Sequence, residues 1–355
     1  MEILCAFDKE VYVDMQVARV QIFVHIKEYS GKKRDWRRMR MGYKLGSFNM
    51  YKFQAYRSDD KIKKDLDKIA NIISKEHFDI VAMQEVFDEK PMNMILQRLG
   101  RQWQGAWDKP NSRSAQAAEG YAFIWNTDRI MLAKSVTASG ERTYYPRIYK
   151  QYRIDRKSGQ KDLVRDPFYG RFKPKYENFE IRIINTHIMF SNGGKDEHEE
   201  DSLQLSDIAM RRNEFEILVK NILAKENTWR YGNNLTAYTI LMGDYNLNLN
   251  RDWTKGPYLE EVIEIDDGQY TYRMRTVQDQ LTTIKNRSKL NPDEPVRGYA
   301  NNYDHFTYDE ERFKDLHPRV RRVDTVRKYC GDDYEMHKKE VSDHIPISIV
   351  IDLKQ

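Results

Sequence analysis

The segment Ser342-Asp343-His344-Ile345-Pro346-Ile347 puts a carboxylate beside an imidazole, and apolar residues then run on as Ile349-Val350-Ile351, the pattern of a last core strand. An Asp at a strand end can hold a divalent cation. A His next to it can move a proton to or from a phosphate oxygen. On its own such a pair is commonly a solvated surface feature. Its weight comes from upstream segments that repeat the arrangement. Asn49, Glu85, His187, Asp244, Asn246 and Asp304 each stand at or just past the end of an apolar run. Together they supply hard oxygen ligands, carboxylate and amide, and two imidazoles. That donor set suits Mg²⁺ or Mn²⁺, which prefer oxygen and keep waters for a substrate phosphate to displace. A zinc site would want more His or Cys.

The elements that must position these residues alternate between strand and helix. Residues 11–26 alternate apolar and polar with a phase shift near Ala18–Val20, which predicts a bent strand or hairpin. Residues 43–49 read as a strand ending at a polar residue. Ile62, Leu66, Ile69 and Ile73 follow at helical spacing within residues 60–75. Residues 78–83, 121–125, 179–185 and 238–242 read as buried strands, and residues 204–225 as an amphipathic helix with Ile208, Phe215, Leu218 and Ile222 inward. Residues 140–176 and 250–300 read as loop-rich with hairpins inside. There is no internal repeat. In a sandwich of two sheets, such strand ends can converge on one rim.

At 355 residues, 40% hydrophobic and 32% charged, the chain is long and apolar enough to bury a core. No apolar run approaches the roughly 18 residues of a membrane span. The two cysteines, Cys5 and Cys330, form no disulfide framework, and the first eight residues lack a basic stretch and a long apolar run. The expected compartment is therefore reducing and intracellular, hence cytoplasmic. The net charge of +5 is uneven: residues 1–42 carry nine Lys/Arg against six Asp/Glu, and the rest of the chain is nearly balanced. Charge alone does not argue for nucleic acid.

In order along the chain stand Phe48-Asn49, Gln84-Glu85, Arg165-Asp166-Pro167-Phe168, Asn185-Thr186-His187, Gly243-Asp244-Tyr245-Asn246, Tyr303-Asp304 and Ser342-Asp343-His344. With these segments the chain, from Tyr43 to about Leu353, resembles the endonuclease/exonuclease/phosphatase superfamily, most closely its deoxyribonuclease I branch. The resemblance implies an α/β fold: a four-layer αββα sandwich of two packed mixed β-sheets flanked by helices, with the site at one rim. It divides the chain into an N-terminal extension, residues 1–42, and a catalytic domain, residues 43–355.

The resemblance also implies roles. Glu85 is the principal metal ligand, helped by Asn49 and Asp343. Asp244 orients or deprotonates the attacking water, and Asn246 bonds the scissile phosphate. His187 and His344 transfer protons, each steadied by a carboxylate, Glu119 for His187 and Asp304 for His344. Arg165 contacts the substrate phosphate, where a guanidinium fork matches phosphate oxygens. The chain also departs from the branch. Phe87 stands where the secreted enzymes place an Arg in the DNA minor groove, and their stacking Tyr falls near Ala117. Duplex minor-groove reading is therefore not expected, while the chemistry is untouched.

Three segments lie outside these roles. The basic stretch from Lys32 to Arg40 could contact phosphates or be a solvated linker. Tyr144, Tyr145, Tyr149 and Tyr152, among Arg147, Lys150, Arg153 and Arg156, could stack bases and grip a strand, or form a surface hairpin. The acidic loop from Asp196 to Asp201 could bind a second cation or be a solvated loop. The expected activity is a Mg²⁺- or Mn²⁺-dependent phosphodiesterase, foremost a DNA endonuclease leaving 5′-phosphate and 3′-hydroxyl ends. The alternatives are the same chemistry on RNA, a nucleotide, an inositol phosphate or a phospholipid, and a non-catalytic nucleic-acid-binding protein on the same scaffold.

Overall fold

A computed structural model describes residues 14–16, 19–21, 42–55, 63–110, 119–150, 163–189, 207–249, 257–266, 268, 270–285 and 298–352. The chain divides into two compact units, Met1–Arg40 and Met41–Gln355. In the first, strands Asp14–Gln16 and Arg19–Gln21 pair antiparallel. The basic stretch, Ala117, Tyr152, Arg153, Arg156 and the acidic loop lie outside the described residues.

The second unit is built on β1 (Tyr43–Phe53), β2 (Ile80–Val86), β3 (Trp103–Asp108), β4 (Tyr121–Asn126), β5 (Ile130–Leu132), β6 (Arg147–Ile148), β7 (Phe168–Pro174), β8 (Phe179–His187), β9 (Thr236–Asp244), β10 (Val262–Asp266), β11 (Thr271–Val277), β12 (Asp304–Asp309), β13 (Arg319–Arg322) and β14 (Ile347–Ile351). A six-stranded sheet runs β13-β14-β1-β2-β4-β3. An eight-stranded sheet runs β6-β7-β8-β9-β12-β11-β10, with β5 also on β7. Both are mixed: β1 and β2 are parallel, as are β8 and β9, and the other pairs in the two sheets are antiparallel.

Alternation along the strands makes the layers. In β2, Ile80 and Ala82 face a core between the sheets, with Phe123, Phe168, Phe172, Ile183, Met242 and Phe306. Val81 and Met83 face outward, under α1 (Leu66–Lys75) and α2 (Glu89–Leu99). On the far side Ile184 and Leu241 pack against a helical run made of α3 (Asp207–Glu216), a π-helical turn Ile217–Leu223 and α4 (Ala224–Thr228). The result is helix, sheet, sheet, helix. Among the described residues no helix is long and apolar enough to cross a membrane.

Helix ends follow local chemistry. Asp65 caps the amide of Lys68, so α1 begins at Leu66 rather than near residue 60. α2 starts after Asp88, with Pro91 tolerated in its first turn. Phe215, Leu218 and Ile222 are buried as the helical spacing predicts, while Ile208 is only half-buried.

Among the strands the sequence reading does not single out is β7, inside a stretch that reads as loop-rich with hairpins. It carries Gly170, Arg171, Lys173 and Pro174, a poor strand pattern. Arg171 is nonetheless fully buried. Its guanidinium forks onto Glu180 at 2.7 and 2.8 Å and lies 3.5 Å over the Tyr231 ring. Arg182 completes the triad at 2.7 Å from the same carboxylate. A charge buried with its partner can occupy a central strand.

Candidate active site

The polar strand ends meet at one rim, and they come from both sheets. Asn49, Glu85, Glu119, Asp343 and His344 end or precede strands of the six-stranded sheet. Arg165, His187, Asp244, Asn246 and Asp304 belong to the eight-stranded one. The parallel register sets His187 opposite Asp244, and β12 sets Asp304 opposite Asp244 on its other side.

Glu85 reaches the site by breaking its strand's alternation. Continued alternation would put it with Val81 and Met83 under the helices. Its φ of 57° turns it instead, a left-handed conformation that costs a non-glycine residue energy and clusters at functional sites. Opposite, β1 bulges between Asn49 and Phe53, with Tyr51 and Lys52 also left-handed at 42° and 51°. The bulge aims the Lys52 amide at Glu85 Oε2, 3.0 Å away. The Asn49 amide nitrogen donates to Glu85 Oε1 at 3.1 Å and to Asp244 Oδ2 at 2.9 Å, while its oxygen accepts from the Tyr51 amide at 2.9 Å. Asn49 thus braces two carboxylates, and its oxygen is turned to the backbone.

Gly243 makes the Asp244 turn possible. Its φ is 149°, and a Cβ there would lie 1.8 Å from the Thr186 carbonyl oxygen. Asn246, at φ 50°, closes the turn by donating its backbone amide to Asp244 Oδ1 at 2.9 Å. Its side-chain nitrogen donates to the Ile188 carbonyl at 2.8 Å and lies 3.3 Å from His187 Nε2.

Two His–carboxylate pairs flank Asp244. His344 Nδ1 stands 2.8 Å from Asp304 Oδ2, and His187 Nδ1 stands 2.8 Å from Glu119 Oε2. The far nitrogens converge on Asp244 Oδ2, His344 Nε2 at 3.5 Å and His187 Nε2 at 3.6 Å. Arg165 is buried behind His187, with Nη2 on Glu119 at 3.0 Å and Nη1 3.0 Å from His187 Nδ1. Nδ1 cannot both donate to the carboxylate and accept from the guanidinium. The upward pull of Glu119 on the imidazole selects the form protonated at Nδ1. Arg165 is therefore placed to hold the Glu119–His187 pair, with only 5% of its side chain exposed for a phosphate to reach.

The electrostatics separate acid from base. Burial pushes the Asp244 carboxyl up to about 6, Asp304 adds to the rise, and the two imidazoles oppose it. Burial works against a charge on His344, but Asp304 and Asp244 outweigh it and hold the imidazole well above its ordinary value. Burial likewise lowers His187, and Glu119 overcomes it despite Arg165. Burial raises Glu119, yet His187 and Arg165 hold it below the usual carboxylate range.

Asp343 and Glu85 make the remaining corner. Burial raises the Asp343 carboxyl and Glu85 adds to the rise. Asp343 Oδ1 is buried with no hydrogen-bond partner. Among the described residues no three His, Cys, Asp or Glu side chains come close enough to enclose an ion by themselves. Glu85 and Asp343, with an oxygen left over and charges that disfavour each other, fit a Mg²⁺-type ion that takes one or two carboxylates and completes its shell with water and phosphate.

Sequence reasoning missed several supports. Gln84 donates to Asn185 Oδ1 at 2.7 Å, and Asn185 donates to the Met83 carbonyl at 3.0 Å, fastening sheet to sheet beneath the site. Tyr121 accepts the His187 amide at 3.2 Å. Ser342 donates to the Asn49 carbonyl at 2.7 Å and accepts the His344 amide at 3.1 Å. Lys64 shares the corner of Asp343 and Glu85, its ammonium pushed down to about 8 by burial against their pull. Gln84, Asn185 and Ser342 lie inside the quoted segments, so proximity to a motif was the available signal; Lys64 had none.

Among solved structures, the 2′,3′-cyclic phosphatase ANGEL2 is similar over 89% of this chain and 96% of its own, at 13% identity and a TM-score of 0.52. D. rerio TDP2, complexed with single-strand DNA product, covers 87% and 98% at 11% identity and 0.47. A mannosyl-6-phosphatase from Bacteroides thetaiotaomicron covers 86% and 98% at 15% identity and 0.45. No curated protein matches the sequence. The description of the Endonuclease/Exonuclease/phosphatase family matches residues 46–344, a span that takes in every side chain of the rim. By that match this chain is a member of the endonuclease/exonuclease/phosphatase family, whose enzymes are hydrolases.

Proposed function

We propose that this protein is a divalent-metal-dependent phosphodiesterase that cleaves DNA internally, leaving 5′-phosphate and 3′-hydroxyl ends. The observation that carries the reading is the pair of His–carboxylate couples converging on one buried Asp. An ion on Glu85 and Asp343, Mg²⁺ or Mn²⁺, would withdraw charge from the scissile phosphate. Asp244, with its carboxyl near 6, is matched to take a proton from the attacking water near neutral pH. The water oxygen bonds to phosphorus as the bond to the 3′ oxygen breaks. His344, kept protonated by Asp304, supplies a proton to the departing oxygen or a charge to the phosphate. Asn246 and His187 sit side by side to bond the remaining phosphoryl oxygens.

The test incubates purified protein with supercoiled plasmid, single-stranded DNA, RNA, an inositol phosphate, a phospholipid and a simple phosphomonoester, with and without Mg²⁺ or Mn²⁺. The expected result is metal-dependent nicking, lowered about 10²–10⁴-fold by Asp244→Asn. DNA left uncut while a monoester, lipid or RNA is hydrolysed would overturn the DNA assignment. Full activity in Glu85→Gln or His187→Ala would overturn the mechanism.

A further inference from the structure

A groove of about 350 Å³ opens between Asp108 and Lys109 at the end of β3 and the segment Tyr144 to Lys150 around β6. β3 and β6 are the edge strands of the two sheets. The groove lies at the rim end of both: Asp108 pairs with Tyr121, which holds the His187 amide, and Ile148 pairs with Phe168, itself paired with Asn185. From the Glu85 strand it is two strands away, roughly 10 Å at about 4.8 Å per strand.

Its charge is one-sided. Lys109, Arg147 and Lys150 are exposed, and no ion pair joins them to a carboxylate among the described residues. Among the described residues that line it, the one carboxylate, Asp108, is taken up by two backbone amides, Lys109 at 2.8 Å and Ile148 at 3.3 Å. Arg147 is held over the Tyr144 ring, 4.9 Å from its centre, with Nε on the Tyr144 hydroxyl at 3.1 Å. Tyr149 cannot stack a base, because it is buried with its hydroxyl on Glu226 at 2.8 Å. The groove lining therefore presents cations, and the exposed aromatic of the segment, Tyr145 at 69%, lies outside that lining.

We propose that this groove is a phosphate-binding subsite that seats a single DNA strand one or two nucleotides from the cleaved bond. The inference rests on the DNA reading above and narrows it: the cleft is at the small end of ligand sites, roughly 300–1,000 Å³, room for one sugar–phosphate chain and too little for a duplex. A small phosphate ester held at the centre does not reach it.

The test compares wild type with Lys109→Glu/Arg147→Glu/Lys150→Glu. Binding of a fluorescein-labelled single-stranded 12-mer is read by anisotropy in EDTA over a series of salt concentrations, and hydrolysis of bis(p-nitrophenyl) phosphate is read with Mg²⁺. The expected result is a Kd raised at least tenfold and a slope of log K against log salt reduced by about 2, at about 0.7 per phosphate contact on a single strand, with diester hydrolysis within twofold. Single Lys109→Glu and Lys150→Glu changes, each expected to lower the slope by about 0.7, carry the test if the triple variant folds poorly. Unchanged Kd and slope while wild type still cleaves DNA overturns the groove alone. Wild type that hydrolyses the diester but neither binds nor cleaves DNA overturns the DNA reading as well.

Discussion

Replacing Asp304 with Asn keeps the shape of the side chain and removes the charge 2.8 Å from His344 Nδ1. Asp304 is the leading support for the imidazolium, which burial opposes. A hydrogen bond to a charged group contributes about 1.5–3 kcal/mol, and about 1.4 kcal/mol is one pKa unit. The imidazole should therefore fall by about 1–2 units, with Asp244 at 3.5 Å and Asp343 next in sequence supplying what support remains. Because His344 is raised in the folded protein, its stabilising contribution is complete below the unfolded value of about 6.5 and is lost as pH rises through the folded value. Asp304→Asn should thus lose stability mainly below the wild-type folded value and little above it. The assay is the pH dependence of kcat on bis(p-nitrophenyl) phosphate, alongside an NMR titration of the His344 ring. The basic limb should move about 1–2 units toward acid, and the ring titration should move with it. A uniform loss of rate with the limb in place, or a His344 titration that does not shift, would refute the coupling.

Other consequences are equally open to measurement. Asp244→Asn, besides losing activity, should stabilise the protein at neutral pH: a carboxyl raised to about 6 by burial makes ionisation costly above that pH, so the gain, on the order of 1–3 kcal/mol, should vanish below about pH 4 in chemical denaturation. Gly243→Ala, whose Cβ would strike the Thr186 carbonyl, should cost several kcal/mol and show as a large drop in the urea midpoint or as insoluble protein. Gln84→Ala leaves Asn185 Oδ1 without its 2.7 Å donor and should cost about 1–3 kcal/mol in the same assay. Arg171→Met strips Glu180 of its bidentate partner and should cost about 3 kcal/mol, with kcat unchanged in the folded fraction.

The strand ends were legible because a buried strand shows as an apolar run and its exit shows as polarity. That logic located β1, β2, β8, β9 and the segment before β14, and with them the rim. It failed at β7, where Arg171 is inside only because Glu180 lies across the strand pair, a long-range fact no local pattern carries. Edge strand β3 mixes Gln104, Gly105 and Asp108 and is half-buried, so it gives no clean period. At the site, the convergence of the polar strand ends was readable and the orientation of their side chains was not. Asn49 was expected to ligate metal and is turned to brace Glu85 and Asp244; Arg165 was expected on the phosphate and lies behind His187. Both outcomes depend on which neighbour arrives from the other sheet.

That dependence reaches beyond the rim. His187 with Glu119, His344 with Asp304, and Asn49 with Asp244 each join residues carried by opposite sheets. The gap they span is set by the layer between, where Phe123 stacks on Phe168 with centroids 4.9 Å apart. The apolar interior is thus the ruler of the rim. A methylene added or removed there would change the His–carboxylate distances without touching a polar atom, so drift in the core of this protein reaches the geometry of the rim as well as stability.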